Sequence, residues 1–466
     1  MKKITSTMFL LLLTVAVFAQ GKAKYVFYFI GDGMGADQVN ATEMFLAERD
    51  GVIGTTPLLF TQFPVMSVVN TYSKTNSVTD SSAAGTALAT GVKTYNGAIG
   101  VDIDKKPVNS VAVRAKKTGK SVGVITSVSV DHATPAAFYA HQENRSMYYE
   151  IATDLIKADF DFYGGSGFVK PNTSYDKKEM PSIYPMFKEA GYELYRGEAA
   201  YKQAKKGARS ILVQDESAEV HSLPYAIDRK AGDMSLSFIT KSAIEELSKN
   251  KKGFFLMVEG GKIDWACHDN DAATAIHEVV DMDNAIAVAY EFYKKYPKET
   301  LIVVTADHET GGLSLGTGKY ELNLKALAHQ KVSAGELSNL MSQLRKDKNN
   351  NVSWEDMKEF LGKYMGFWKE VNVNWEQEKK LRDEFERTFV QAKKTFEESM
   401  YTKTEPLAAR AKEVMSDIAM VSWASHSHSA NYVPVYAIGA GADLFKGKVN
   451  NIEIPMKIGK AAGYKK

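Results

Sequence analysis

The sequence predicts an α/β fold, a single large domain with a mostly parallel central sheet flanked by helices on both faces. The first observation is a set of short, continuous apolar runs, which are typical of strands buried on both faces of a parallel sheet. These runs are Tyr25–Ile30, Ser121–Val130, Gly253–Val258 and Leu301–Thr305. The second observation is the helical spacing of apolar residues in Ser235–Asn250 and Ala272–Tyr296, each just before a predicted strand. Such alternation of helix and strand indicates a parallel sheet covered by helices.

The third observation is that each predicted strand ends in residues that can bind metals. The segments that follow the strands are Gly31-Asp32-Gly33, Asp131-His132-Ala133-Thr134, Glu259-Gly260-Gly261-Lys262-Ile263-Asp264 and Asp307-His308. Chemistry in such sheets lies beyond the carboxyl ends of the strands. His268 follows Asp264 by one helical turn, so the two side chains share a helix face. The sequence therefore predicts a metalloenzyme with a cluster of divalent cations at one edge of the sheet.

The length of 466 residues allows two or three domains. The strand and ligand segments nevertheless run from near the N-terminus to beyond residue 430, so we expect one domain over residues 20–466. From about Leu315 to Met420 the sequence becomes charged and helix-forming, with Trp354, Trp368 and Trp375 as its large apolar anchors. We expect an inserted, mainly helical subdomain over residues 315–420. The formal net charge of +2 gives no reason to expect a nucleic-acid or membrane surface.

The N-terminus has the layout of a secretory signal peptide over residues 1–19. Lys2-Lys3 precede the apolar stretch Met8–Phe18, and Val17-Phe18-Ala19 suit a cleavage site. The stretch is too short to anchor the mature chain in a membrane. We therefore expect an exported protein, periplasmic or secreted. The sole cysteine, Cys267, cannot form an internal disulfide, and we interpret it as a small buried residue rather than a thiol ligand.

The segment from Val78 to Gly91 predicts a helix with a serine at its N-terminus. Asp80 or Ser81 makes a good N-cap, and the small residues that follow suit a closely packed helix. Ser81 would then lie at the positive end of the helix, where anions bind readily. Taken alone, a capping role for Ser81 is the more ordinary interpretation. Beside a metal cluster, its hydroxyl becomes a candidate nucleophile.

Together these motifs closely resemble those of the alkaline phosphatases. The motifs that carry the resemblance are Gly31-Asp32-Gly33-Met34-Gly35, Asp80-Ser81, Gly91-Val92-Lys93-Thr94-Tyr95-Asn96-Gly97, Ala133-Thr134-Pro135, Val258-Glu259-Gly260, Asp307-His308 and a late histidine. They occur in the family's order and spacing from Lys24 to about residue 445. The region from about 315 to 420 matches only in position.

The resemblance implies two Zn²⁺ and one Mg²⁺ per chain. It assigns one zinc to Asp264, His268 and His428, the other to Asp32, Asp307, His308 and the Ser81 oxygen, and the magnesium to Asp32, Thr134 and Glu259. The family's spacing back from the strand Val433–Ile438 selects His428 over His426. Arg145 matches the family's phosphate-binding arginine, whose planar fork can donate two parallel hydrogen bonds.

Two positions depart from the best-known bacterial pattern. His132 stands where some members have Asp, and Trp265 stands where some have Lys. The resemblance implies that both lie in the second shell, near the third metal and the bound phosphate. His132 could shift the third site towards a softer metal.

The resemblance also implies the activity, which is metal-dependent hydrolysis of small phosphomonoesters through a phosphoserine, with broad specificity, an alkaline optimum and a role in phosphate acquisition. It further implies a homodimer. A phosphodiesterase or a cofactor-independent phosphoglycerate mutase would share the metal-binding edge, but Asp80-Ser81 and Arg145 fit a monoesterase better. A sulfatase would need a maturation motif that does not follow Ser81. A secreted, non-enzymatic zinc-binding protein would have lost ligands that this chain retains.

Overall fold

A computed structural model describes residues 22–203, 209–214, 221–318, 320–392, 397–398, 401 and 403–465. The predicted signal peptide, residues 1–19, lies outside the described residues. The strands are β1 (Tyr25–Gly31), β2 (Val65–Asn70), β3 (Ser121–Thr126), β4 (Phe162–Gly164), β5 (Tyr192–Arg196), β6 (Arg209–Val213), β7 (Phe254–Gly260), β8 (Thr300–Ala306), β9 (Glu309–Thr310), β10 (Leu313–Leu315), β11 (Glu397–Glu398), β12 (Lys403–Thr404), β13 (Val421–Trp423), β14 (His428–Ser429), β15 (Val433–Gly439) and β16 (Gly447–Asn450).

Ten of these strands form one central sheet, in the order β16-β2-β15-β8-β1-β7-β3-β4-β6-β5. Strand β15 runs antiparallel to its neighbours β2 and β8, whereas the other described pairings in this sheet are parallel. The predicted fold class, a mostly parallel α/β sheet, is therefore confirmed. Because β15 runs the opposite way, the residues that precede it lie at the same edge as the residues that follow β1, β7 and β8.

The helices are α1 (Ala36–Arg49), α2 (Ser81–Thr90), α3 (Val111–Lys117), α4 (Ala133–Ala136), α5 (Tyr148–Ala158), α6 (Ile183–Glu189), α7 (Gly197–Gln203), α8 (Leu236–Leu247), α9 (Lys262–His268), α10 (Ala272–Lys295), α11 (Ala334–Asp347), α12 (Trp354–Met365), α13 (Trp375–Phe385), α14 (Pro406–Ala419) and α15 (Glu453–Ala462). Short 3₁₀ segments span Phe60–Gln62, Leu324–His329 and Ala442–Phe445, and a π-helical turn spans Glu386–Val390. Within the ranges given above, no helix combines the length and the apolarity that crossing a membrane requires.

Helices cover both faces of the central sheet, as alternate residues of β1 show. The Phe27 ring packs edge-on against Phe292 of α10. The next residue, Tyr28, faces the other way, and its hydroxyl donates to the Leu88 carbonyl of α2. Successive side chains of a strand point to opposite faces of the sheet, so α10 lies on one face and α2 on the other.

Strand β3 is shorter than the predicted run Ser121–Val130, and its last residue is Thr126. The Thr126 hydroxyl donates to the Glu259 carboxylate and accepts the Val128 N–H at 3.0 Å, which turns the chain out of the sheet. Beyond the turn, the Ser129 and Val130 N–H groups bond to carbonyls of two other loops. Continuous apolar character therefore overstated the strand, because Val128 and Val130 are buried by loops instead.

Helices α11 to α14 fall within residues 315–420 and share a second apolar core, which also includes Ala41 of α1 and Ile276 of α10. The division of the chain at residues 315 and 420 stays a prediction. Trp354 is buried in this core and Trp368 packs against it. The prediction for Trp375 is wrong, since this residue is 74% exposed. Leu381 and Phe385, one turn apart, form the buried face of α13, and Trp375 lies off that face.

Candidate active site

The sequence-predicted site residues gather at one edge of the sheet, where β1, β7 and β8 end in register. Gly31 of β1 pairs with Gly260 of β7 and with Ala306 of β8. Asp32 and Asp307 therefore leave their strands at the same level, and the short helix α9 brings Asp264 to the same place. All three carboxylates are fully buried. A parallel sheet with aligned strand ends thus produces the cluster that the sequence predicts.

The first pocket is formed by Asp264, His268 and His428. The distance from His268 Nε2 is 3.3 Å to Asp264 Oδ1 and 3.1 Å to His428 Nε2, and His428 Nε2 lies 3.6 Å from Asp264 Oδ1. The Nδ1 atoms of His268 and His428 lie against the carbonyl oxygens of His426 and Thr79, at 2.6 and 2.8 Å. We therefore assign the ring hydrogens to Nδ1, which directs both Nε2 lone pairs into the pocket.

The second pocket is centred on His308, whose Nε2 faces three oxygens. It lies 3.2 Å from Asp32 Oδ1, 3.4 Å from Asp307 Oδ2 and 3.2 Å from Ser81 Oγ. On the other side of the ring, Nδ1 lies 3.2 Å from Thr310 Oγ1, and that hydroxyl donates to Asp264 Oδ1. Thr310 therefore connects a residue of the second pocket with a residue of the first. The Asp307 carboxylate is held in turn by the N–H groups of Gly33 and His308.

These separations suit tetrahedral cations. Ligands bound tetrahedrally to zinc at about 2.0–2.1 Å lie roughly 3.3 Å from one another. The Oδ2 atoms of Asp32 and Asp264 are buried without a hydrogen-bond partner among the described residues. Both pockets therefore present converging nitrogen and carboxylate donors whose bonding capacity is not satisfied by the protein alone. The residues fit the two zinc ions that the resemblance implies.

Burial of several acidic side chains in one small volume raises their pKa values. Burial, followed by repulsion from Asp307, raises the pKa of Asp32 well above its usual value. Burial raises the pKa of Asp307 to about 7, with a further contribution from Asp264. Burial raises the pKa of Glu259 to about 8, even though the hydroxyls of Thr126 and Thr134 favour its charged form. Several carboxylates thus share one buried volume, which is favourable only with protons or cations.

Burial and neighbouring charges also shift the pKa values of the histidines in this site. Burial, together with the nearby His428, keeps the pKa of His308 well below its usual value, and burial also lowers the pKa of His428. Although burial opposes the charged form of His268, the Asp264 carboxylate raises its pKa. For Asp264 itself, burial is outweighed by His268 and the other two imidazoles, so its pKa lies below the usual range. Neutral imidazole is the form that binds metals.

A third group of possible ligands consists of Asp32, Glu259 and His132, whose ligand atoms all lie within 4.8 Å of one another. Thr134, at the start of α4, is fully buried beside them, with Oγ1 3.4 Å from Asp307 Oδ2. His132, which we expected near the third metal, lies with this group, and its part in binding stays a prediction. Burial, followed by the charge of Arg145, lowers the pKa of His132 to about 3, so its ring is neutral.

Ser81 is the first residue of α2, and the Asp80 side chain caps that helix. Oδ1 of Asp80 accepts the Ala83 N–H at 3.0 Å, and Oδ2 accepts the Gly97 N–H at 2.9 Å. Oδ2 also lies 3.4 Å from Nη1 of Arg145, whose Nη2 lies 3.4 Å from His132 Nε2. Asp80, and not Ser81, is therefore the N-cap, which leaves the Ser81 hydroxyl directed at His308. Arg145 is held beside the nucleophile candidate by a capping carboxylate.

Two residues beside the site, Thr310 and Tyr401, are absent from the sequence predictions. Thr310 could have been suspected, since it follows Asp307-His308 by only two positions. Tyr401 could not, because it lies in the region that matched the family only in position. Its ring stacks on Trp265, with centroids 4.3 Å apart and planes at 10°, and it meets His268 edge-on at 5.6 Å. Trp265 and Tyr401 thus form an aromatic wall beside the first pocket.

The chain is similar to known proteins in both sequence and overall structure. The family model described as "Alkaline phosphatase" matches residues 23–161 and 178–464. "Alkaline phosphatase 4" of Bacillus subtilis (strain 168) is 34% identical over 445 residues, covering 93% of this chain and 87% of that relative. "Alkaline phosphatase 3" of the same organism is 32% identical over 463 residues, covering 96% and 90%.

Solved structures agree with the sequence relatives. The cold-active alkaline phosphatase of Shewanella sp. superposes with a TM-score of 0.79 at 32% identity, covering 94% of this chain and 99% of that one. The alkaline phosphatase of the Antarctic bacterium TAB5 gives a TM-score of 0.67 at 28% identity, covering 96% and 100%. The chain belongs to the alkaline phosphatase family, and it is a phosphomonoester hydrolase.

Proposed function

We propose that the chain hydrolyses phosphate monoesters through a phosphoserine formed on Ser81, with two Zn²⁺ and one Mg²⁺ in the site. The observation that carries this proposal is the position of Ser81 Oγ, 3.2 Å from His308 Nε2 and at the N-terminus of α2. A helix N-terminus favours a bound anion. A hydroxyl there, among metal-binding donors and beside an arginine, is placed to attack a phosphoryl group.

The three donor groups divide naturally between the ions. Asp264, His268 and His428 would hold one zinc, and Asp32, Asp307, His308 and Ser81 the other. Oxygen donors from Asp32, Glu259 and Thr134 suit magnesium, and magnesium is bound in the M3 site of two variants of the TAB5 alkaline phosphatase. When bound, such ions lower the pKa of hydroxyl and water and neutralise charge that builds up on phosphoryl oxygens.

The chain's own residues supply nucleophile, orientation and binding. Ser81 Oγ attacks phosphorus and its proton passes to solvent, while the P–O bond to the alcohol breaks on the opposite side and the departing oxygen takes a proton from water. Arg145 donates two parallel N–H groups to non-bridging phosphoryl oxygens, and Asp80 Oδ2, 3.4 Å from Nη1, keeps the guanidinium in place. Water then attacks the phosphoserine, which restores the Ser81 hydroxyl and releases inorganic phosphate.

Specificity and pH dependence follow from the same geometry. Ser81, Arg145 and the donor groups all engage the phosphoryl group rather than the alcohol, so we propose broad specificity. Protons compete with cations for buried carboxylates such as Glu259 and Asp307, whose pKa values are raised to about 8 and about 7. Metal occupancy, and with it activity, should therefore increase towards alkaline pH.

We further propose that the mature chain is exported, periplasmic or secreted, that it forms a homodimer, and that it serves in phosphate acquisition. These proposals rest on the N-terminal sequence and on the resemblance. Light scattering of the purified mature chain would test the dimer, because a monomeric mass would refute it. The N-terminal residue of the processed protein would test the cleavage after residue 19.

Trapping of the covalent intermediate tests the central step. The metal-loaded chain would be quenched in acid after exposure to ³²P-labelled inorganic phosphate or monoester, digested and mapped. We expect label on the peptide that contains Ser81, and none after Ser81→Ala. Label on another residue, or turnover of a monoester by the Ser81→Ala variant at the original rate, would refute the phosphoserine.

A further inference from the structure

We infer that Glu309 is a positioning residue that holds His308, His428 and the Asp32 loop in the arrangement that binds zinc. The inference rests on the proposed function, since it assumes that the two pockets bind metal. Glu309 follows His308 directly and is 2% exposed. It is absent from all three groups of possible ligands. Its carboxylate instead lies behind the site.

Three donors from three segments converge on the Glu309 carboxylate. Nε2 of Gln38 donates to Oε1 at 2.7 Å, and the N–H of Gly312 donates to the same oxygen at 2.9 Å. The hydroxyl of Ser429 donates to Oε2. Ser429 directly follows His428, and Glu309 directly follows His308. The hydrogen bond between Ser429 and Glu309 therefore connects the segments that carry the two histidines. We call these four residues the Glu309 clamp.

Strand pairing explains why the clamp controls the histidines. Strands β9 and β14 pair antiparallel, with Ser429 opposite Glu309 and His428 opposite Thr310. Directly opposite side chains lie on one face, and successive side chains alternate. The face with Thr310 and His428 therefore points to the metal pockets, and the face with Glu309 and Ser429 points away. The His308 and His428 rings lie stacked across this junction, with centroids 3.6 Å apart.

The clamp also includes the loop that carries Asp32. Gln38 belongs to the first turn of α1, and its Nε2 donates to the Thr310 carbonyl at 2.8 Å as well as to Glu309. Gly35 lies against Glu309 so closely that a Cβ added there would overlap with Cγ of Glu309. The last glycine of Gly31-Asp32-Gly33-Met34-Gly35 therefore makes room for the clamp. The segments that carry Asp32, His308 and His428 therefore meet at one carboxylate.

The contacts suit a carboxylate better than an amide. All three partners donate to Glu309, and both carboxylate oxygens can accept, whereas an amide has only one accepting oxygen. A glutamine at this position would turn an NH₂ group towards either Ser429 or the Gln38 and Gly312 donors. Turned towards Gln38 and Gly312, that group would face two donors. Turned towards Ser429, it would leave the hydroxyl, which already accepts the Asn431 N–H at 3.2 Å, without an acceptor for its own hydrogen. Loss of hydrogen bonds that orient metal ligands weakens metal binding by about 10–100-fold.

The test compares zinc binding by Glu309→Gln and Ser429→Ala with that of the unaltered chain and of Glu405→Gln. Glu405 is a matched control because it is fully buried, accepts the Leu407 N–H at 2.8 Å, and pairs with Arg345 away from the pockets. Zinc dissociation constants would be measured by competition with a chromogenic chelator, together with melting of each metal-free protein. kcat and KM would be measured at saturating zinc.

We expect Glu309→Gln to weaken zinc binding about 10–100-fold and Ser429→Ala to weaken it by less. Glu405→Gln should lower the melting temperature but leave zinc affinity within about twofold. At saturating zinc, KM should change little, because the clamp does not contact substrate. Zinc affinities of Glu309→Gln and Ser429→Ala equal to that of the unaltered chain would overturn the inference, as would an equal loss in Glu405→Gln. Failure of the proposed function looks different, because the unaltered chain itself would then bind no zinc or hydrolyse no monoester.

Discussion

His308 Nε2 lies 3.2 Å from Ser81 Oγ, so an imidazole at the end of one strand and a hydroxyl at the start of a helix face one point. Both side chains are fully buried. Helix α2 packs on one face of the sheet, and Ser81 is its first residue. The nucleophile candidate and the metal-binding donors are therefore brought together by the fold and not by neighbouring sequence.

Removal of the Ser81 hydroxyl should abolish turnover without removing the metals. We expect Ser81→Ala to lower kcat roughly 10³-fold or more, with zinc binding retained through Asp32, Asp307 and His308. Steady-state kinetics and metal analysis would check both. The matched control is Ser82→Ala, which removes a neighbouring hydroxyl that donates to Asp80 and accepts the Gly97 N–H. Comparable losses in the two variants would show that Ser81 has no special role.

Arg145 should not be replaceable by lysine. A lysine keeps the charge but loses the planar fork, so two parallel hydrogen bonds become one point contact. A hydrogen bond to a charged group contributes about 1.5–3 kcal/mol, and we expect Arg145→Lys to lower kcat/KM roughly 10–100-fold. Inhibition by inorganic phosphate should weaken in parallel. If kcat/KM and phosphate affinity of Arg145→Lys matched those of the unaltered chain, Arg145 would not bind the phosphoryl group.

The metal-free chain should become less stable as the pH rises from 7 to 9. Glu259 and Asp307 have folded-state pKa values of about 8 and about 7, whereas unfolded carboxyls titrate near 4. In this range the folded state holds protons that the unfolded state has released, so stability falls with increasing pH. The raised pKa of His268 acts in the same direction.

Thermal melting of the metal-free chain at several pH values would measure this dependence. Glu259→Gln removes one of the titrating groups and should flatten the curve. With zinc and magnesium bound, melting temperature should instead rise over the same range, since the ions replace the protons. A metal-free chain whose melting temperature increases from pH 7 to 9 would contradict the predicted direction.

His132 should influence which cation the third group prefers. Its neutral ring lies with Asp32 and Glu259, and a nitrogen donor favours softer metals than an all-oxygen set does. We expect His132→Asp to raise magnesium affinity relative to zinc at that site. Titration of each ion into protein with both zinc pockets filled would measure the ratio. An unchanged ratio would place His132 outside the coordinating group.

Gly35→Ala should disturb the site through contact alone. The φ angle of Gly35 is −72°, which alanine adopts freely, so the new cost is overlap of the added Cβ with the side chains of Glu309 and Gln38. We expect a loss of about 1–3 kcal/mol in the free energy of unfolding and weaker zinc binding. Gly459→Ala is the control, because in helix α15 its Cβ would meet other atoms only at 3.9 Å or beyond. Equal stability in both variants would show that the structure accommodates a Cβ at residue 35.

Much of this arrangement could be predicted from the sequence, because parallel strands show as continuous apolar runs. Asp32 and Asp307 each follow such a run, and a shared sheet edge brings them together. The end of β3 at Thr126 could not be predicted, because Val128 and Val130 are apolar and yet are buried by loops. The exposure of Trp375 was equally hidden, since residue type alone does not tell which face of a helix packs.

The residues that hold the site together were the hardest to predict. Glu309 and Ser429 lie far apart in sequence, and only the antiparallel pairing of β9 with β14 brings them into contact. Tyr401 reaches Trp265 from a segment with no recognisable pattern. Such contacts depend on register and on loop paths, which single-sequence periodicity does not encode.

The most direct measurement is hydrolysis of p-nitrophenyl phosphate by the purified mature chain before chelation, after chelation, and after zinc and magnesium are restored. Bis(p-nitrophenyl) phosphate would be run beside it to separate monoesterase from diesterase activity. We predict monoester turnover that disappears with the metals, returns when they are restored, and far exceeds diester turnover. Full activity in the demonstrably metal-free chain, or none with both ions bound, would contradict the account.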